Sequence, residues 1–213
     1  MNVYLPTYDG LRARLGSRPL EQLVASSGAH RLGEGSLGLR CAGRDYQITY
    51  PEGLVANADG TPAEVSVAIL LLLYLLEATG RATEGRWISF EQLPGGAGYL
   101  ASFRGRVMQP VLHAFGAHPE RLVEAARMLD GEPLRLGDVA VRIPALPGVP
   151  IVYVLWRGDE EFPPGLSVVF DASVEGYLDA EVLTALCELV SRRLVAAAGG
   201  AVERPGRRNG VRG

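Results

Sequence analysis

Apolar positions along the chain follow two periods, near two and near 3.6, and the switches between them mark its elements. Leu37, Leu39 and Cys41 alternate with smaller or polar neighbours, and Tyr46, Ile48 and Tyr50 alternate with Gln47 and Thr49. Joined by Ala42-Gly43-Arg44-Asp45 and ended by Pro51, they predict a β-hairpin with one buried face. Three later runs, 139–143, 151–156 and 166–170, also read as strands. The middle one is apolar throughout and bounded by Pro150 and Gly158, which predicts burial on both faces. Short connections between the three suit antiparallel hairpins rather than helical crossovers.

Helical spacing fills much of the rest. Residues 9–28 read as two short pieces, with Ser17 and Pro19 marking the second start. Thr61 as N-cap, Pro62 in the first helical position and Glu64 completing a capping box predict a helix near 62–79. That helix is apolar nearly all round, as the central helix of a core would be. Ser89 and Gln92 fit a capping box for one turn, and further helices are expected at 99–116, 119–130 and 179–198. Pro110 marks a kink or restart in the first of these, and Asp179 caps the last. The expected fold is α+β: a mainly antiparallel sheet of about five strands, made from the 37–50 hairpin and the three later strands, packed against several helices. Residues 1–198 read as one globular domain, and the Gly/Arg-rich stretch 199–213 as a disordered tail.

Composition narrows the chemistry. All 21 basic side chains are arginine, so Schiff-base, P-loop and Ser–Lys chemistry have no lysine to use. Cys41 and Cys187 are far apart and read as buried hydrophobes; no CxxC pair exists for zinc or an iron–sulfur cluster. A net charge of −3 offers no global field to recruit nucleic acid. The N-terminus lacks a signal-peptide pattern, and the apolar run 67–76 is about half a bilayer span, so a cytoplasmic protein without membrane contact is expected. Neither an HExxH nor a GxSxG spacing occurs around His30, His113 and His118, and each histidine reads as structural.

Two segments carry more glycine, proline and charge than packing needs. Pro94-Gly95-Gly96-Ala97-Gly98 precedes a helix, where backbone N–H groups can hold an anion; the alternative is a tight turn that lets the helix pack closely. Asp159-Glu160-Glu161 could bind a cation or act as an acid–base pair; the alternative is a solvated turn, though Phe162 within it is expected to pack. A ligand site is expected where the two segments approach. Gly95, Gly96, Tyr99, Arg104, Arg106, Glu161 and Phe162 would line it, with an anionic group on Arg104 or Arg106.

Several local strings resemble the uncharacterised prokaryotic family called domain of unknown function 3786. They include Trp87-Ile-Ser-Phe90, Leu93-Pro-Gly-Gly-Ala97, Gly137-Asp-Val-Ala140, Pro144-Ala-Leu-Pro147, Gly158-Asp-Glu-Glu-Phe-Pro163 and Phe170-Asp171, within roughly residues 60–195. Some members look fused to an iron–sulfur module like that of corrinoid proteins, so the resemblance implies a neighbourhood of corrinoid or one-carbon metabolism. It carries over no catalytic residue and no cofactor.

The reading that follows is a ligand-binding or accessory domain, with a small anionic ligand or a corrinoid-related protein as partner. Two alternatives stand beside it: an enzyme using carboxylates and arginines on an anionic substrate, and a purely structural interaction module.

Overall fold

The computed structural model describes residues 4–202. Two helices, α1 (Leu5–Gly16) and α2 (Leu20–Ser27), lead into the strands β1 (His30–Gly33), β2 (Ser36–Cys41), β3 (Arg44–Thr49) and β4 (Val55–Asn57). After α3 (Val65–Glu77) and the short β5 (Trp87–Ser89) come α4 (Gly96–Phe103), α5 (Gln109–Phe115) and α6 (Glu120–Arg127). The strands β6 (Glu132–Leu134), β7 (Val139–Leu146), β8 (Val149–Trp156) and β9 (Gly165–Asp171) precede the long α7 (Ala180–Val202). The chain is therefore α+β, with antiparallel sheets against helices.

The sheet is not one but two. The 37–50 hairpin does not join the later strands; it lies in a four-stranded sheet of order β1-β2-β3-β4, while the later strands form a second sheet of order β5-β9-β8-β7-β6. Both edges of the hairpin are taken by strands of three or four residues, too short to show a period. The sheets meet at one corner, where the Ala42 N–H donates to the Ala145 carbonyl at 2.8 Å.

Helix starts show how local chemistry decides boundaries. Asp59 accepts from the Thr61 N–H and hydroxyl, at 2.9 and 2.6 Å, and this turn takes the side chain expected to cap α3. Residues 61–63 instead run beside β4, with the Ala63 N–H on the Val55 carbonyl, and α3 starts at Val65. The Ser89–Gln92 capping box forms as expected, and Asp179 accepts from the Val182 N–H at 2.8 Å. Between α4 and α5 the helix widens into a π turn, Arg104–Met108. Pro110 has no N–H for the Arg106 carbonyl, so the helix restarts just after the wide turn rather than breaking. α7 runs past Gly199 to Val202; the rest of the tail expected at 199–213 lies outside the described residues.

Period-two alternation places Val141, Ile143, Ile151, Tyr153, Leu155, Leu166, Val168 and Phe170 on the inner face of the five-stranded sheet, all in the main core. α7 lies on that face, and the buried Tyr153 hydroxyl bonds Ser191 Oγ at 3.1 Å. The opposite faces of β7 and β8 hold a small second cluster, Ala140, Val152 and Val154. β8 is thus buried on both sides, as its unbroken apolar run predicts.

Asp171, 2 % exposed, ties the loop before β5 to the end of β9. Its carboxylate accepts from the backbone N–H groups of Glu84, Gly85 and Ser173 at 2.7–3.0 Å. Burial alone would raise its pKa, but these donors outweigh it and hold the group at about 2, below its ordinary 3.8. A lowered carboxyl stabilises the fold above its ordinary pKa and stops doing so as pH falls through 4 toward 2. Asp171→Asn should therefore cost about 2 kcal/mol near neutral pH. Urea unfolding from pH 7 to pH 2.5 should show that gap closing below about pH 4; a constant gap would mean that the charge is not what the loop uses.

Candidate functional site

The expected site does not assemble. α4, the π turn and α5 form one run of about 30 Å at 1.5 Å per residue. Gly95 and Gly96 lie at its start, whereas the acidic turn lies against its end, where Pro164 packs near Gly116. Glu161 is exposed, and Phe162, expected to pack, is 66 % exposed. Asp159 accepts from the N–H groups of Phe162 and Glu161, at 2.7 and 2.9 Å, which lower its pKa. It serves the turn, and a lowered carboxyl is a poor general base at neutral pH.

The glycine loop has a packing reason. Gly95 adopts φ +76°, and a Cβ on Gly96 would lie 2.0 Å from the Phe90 carbonyl oxygen. This close approach lets Phe103 stack on Phe90, with ring centroids 4.1 Å apart. Beside the loop a cleft of about 410 Å³ is floored by Leu73, Leu93, Tyr177 and Leu178. Its rim carries Glu77, Glu175 and Asp179, a sign of charge opposite to what an anion needs. Tyr99 donates to Glu181 at 2.9 Å, Arg104 pairs with Glu91 at 3.0 Å, and Arg106 pairs with Glu188.

Arginines without a carboxylate in ion-pair contact gather elsewhere. On α7, Leu189, Arg192, Arg193 and Ala196 follow i, i+3, i+4, i+7 spacing and form one stripe. On β3, Arg44 and Tyr46 share a face, and Tyr46 stands opposite Asn57 of β4. These residues line a groove made of two adjoining hollows, of about 340 and 300 Å³, which share Glu64, Val67, Leu189 and Arg192. Among the described residues no carboxylate lies within ion-pair distance of Arg44, Arg192 or Arg193.

Arg193 is fixed by neutral acceptors. Its Nη1 donates to the carbonyls of Cys41 and Ala42, at 2.6 and 2.9 Å, and its Nη2 to the Tyr46 hydroxyl. Its guanidinium carbon lies 5.9 Å from the centre of the Tyr46 ring. The Cys41 thiol beneath is pushed up to about 12 by burial, so it adds no negative charge at neutral pH. Of the residues expected to bind a ligand, Arg106 alone lines this groove. Glu188 and Arg192 stand at i, i+4 on α7, but Glu188 pairs with Arg106, and among the described residues Arg192 has no ion-pair partner.

Among the described residues no group of three His, Cys, Asp or Glu side chains is placed to hold a metal ion, and no helix is long and apolar enough to cross a membrane.

Gly96→Ala should lose about 1–3 kcal/mol in chemical denaturation, because a Cβ there meets backbone. Gly98→Ala, with nothing within 4 Å, should gain roughly 0.5–1 kcal/mol from helix propensity. Equal effects at the two positions would refute the packing account of the loop.

No curated protein and no solved structure matches the chain. The model of one family, Domain of unknown function (DUF3786), matches residues 19–193, a span that includes Arg44, Arg106, Arg192 and Arg193. The chain belongs to that family.

Proposed function

We propose that this protein is a ligand-binding accessory domain that holds a small anion in the arginine groove along α7. The observation that carries this reading is the convergence of Arg44, Arg192 and Arg193 from two distant parts of the chain with no carboxylate among the described residues in ion-pair contact, Glu64 being the one acid that lines the same hollow. Folded proteins rarely gather like charges without a partner, since such a cluster is self-repulsive until an anion arrives. Guanidinium groups present planar, multiple donors that suit phosphate or carboxylate. The family resemblance further suggests a cytoplasmic setting beside corrinoid or iron–sulfur enzymes of one-carbon metabolism. That part of the proposal rests on the family alone, and co-purification of such an enzyme from the native host tests it.

The groove is tested by titrating inorganic phosphate and pyrophosphate at low and moderate salt. Binding should weaken as salt rises. Arg44→Ala and Arg192→Ala should each weaken it by about fivefold or more, near 1 kcal/mol at 1.4 kcal/mol per tenfold. Arg104→Ala, which removes the same charge from a paired surface position, should leave it unchanged. Parent-like affinity in both groove variants, with the fold intact, would sink the reading.

A further inference from the structure

The groove is electrically lopsided. At one end Arg44, Arg192 and Arg193 surround Tyr46 and Asn57 with no acid in ion-pair contact. The other end is lined by Ala185, Leu70, Ser66 and Tyr4, and its one further arginine, Arg106, is neutralised by Glu188. Val67 and Leu189 form a continuous apolar floor between the two ends, and Glu64 stands at the waist, where it disfavours a second negative charge. From Arg193 to Ala185 is about 12 Å along α7 at 1.5 Å per residue. A compact inorganic anion would occupy only the charged end and leave the rest of the groove to water.

We infer that the ligand is a single-headed anion with an elongated uncharged body, its phosphate- or carboxylate-like head on Arg44 and Arg192 and its apolar body toward Ala185. This inference rests on the anion-binding reading above and specifies the chemical class it takes. The charge pattern also sets selectivity. A dianion with a group at each end would meet Glu188 and the already paired Arg106, and would have to break that pair to gain a partner. A cationic or neutral molecule has no reason to prefer the arginine end.

The experiment is a series of alkyl phosphates, from methyl to octyl, titrated below their micellar concentrations into the full chain. Each buried methylene contributes at most about 0.8 kcal/mol, and an open groove realises only part of that. Affinity should therefore rise at least tenfold from methyl to octyl phosphate. Ala185→Gln, a neutral change at an exposed helical position of the uncharged half, should bring the octyl-to-methyl ratio close to one. Arg44→Ala should weaken every member of the series by a similar factor. If affinity is independent of chain length while Arg44→Ala still weakens binding, the elongated body is wrong and the anion site stands. If Arg44→Ala changes nothing for any member, the anion site itself is wrong. A ratio that survives Ala185→Gln would mean that the alkyl chain lies elsewhere, which overturns the assignment of this half of the groove.

Discussion

The turn at which the two sheets meet is tied to α7 by one guanidinium. Ala42 and Gly43 form a two-residue hairpin turn with φ of +45° and +78°, the conformation that the right-handed twist of paired strands favours. Gly43 enters it freely, and a side chain there would collide with Leu129 and the Met128 carbonyl. Ala42 occupies the left-handed region as a non-glycine residue, at a cost of roughly 1 kcal/mol. Three contacts hold it there: its N–H on the Ala145 carbonyl of the other sheet, its own carbonyl on Arg193, and the neighbouring Cys41 carbonyl on the same arginine. One side chain of α7 thus ties the hairpin of the first sheet to the helix that lies across the core, and the hairpin's own backbone reaches the second sheet.

That junction explains which parts of the fold were legible. The hairpin showed in its alternation and the three later strands as apolar runs bounded by turn residues, because each is long enough to display a pattern of burial. Their grouping did not show. Whether two hairpins share a sheet depends on which edges are already taken, and β1, β4, β5 and β6 take them with only three or four residues each. Such strands exist because the neighbouring strand offers unpaired donors and acceptors, not because their own sequence prefers extension. The start of α3 failed for a related reason. Thr61 carries a good cap signal, but its hydroxyl donates to Asp59 and accepts from the Asn57 side-chain N–H, so it is held in the preceding turn.

The candidate site was less legible, and the failure has the same physical origin. Arg192 and Arg193 are visible in sequence as the outer stripe of an amphipathic helix, which ordinarily means solvent. Their significance comes from Arg44, about 150 positions earlier, whose strand face is fixed only by its pairing. Sequence spacing also assigns acids to the wrong bases: Glu188 stands one turn from Arg192 yet bonds Arg106 across an interhelical contact. The glycine loop gave the opposite error. Its glycines suggested room for a ligand, whereas at Gly96 the space is already filled by the Phe90 carbonyl.

Arg193 shows how an arginine that holds the fold can keep its full positive charge. Carbonyl and hydroxyl oxygens satisfy its donors through dipoles, and dipoles leave the full positive charge in place. Had α7 been tied to the hairpin through an aspartate or glutamate, the junction would be as firm but its field would be quenched. Arg40 shows that alternative in the same sheet: Asp130 and Asp45 hold it, and its charge is already matched. The two arginines stand beside the same β2–β3 turn, Arg40 on β2 and neutralised, Arg193 on α7 and not. The difference in charge matching lies in their partners, and it places the unmatched positive charge on the face where β3 meets α7.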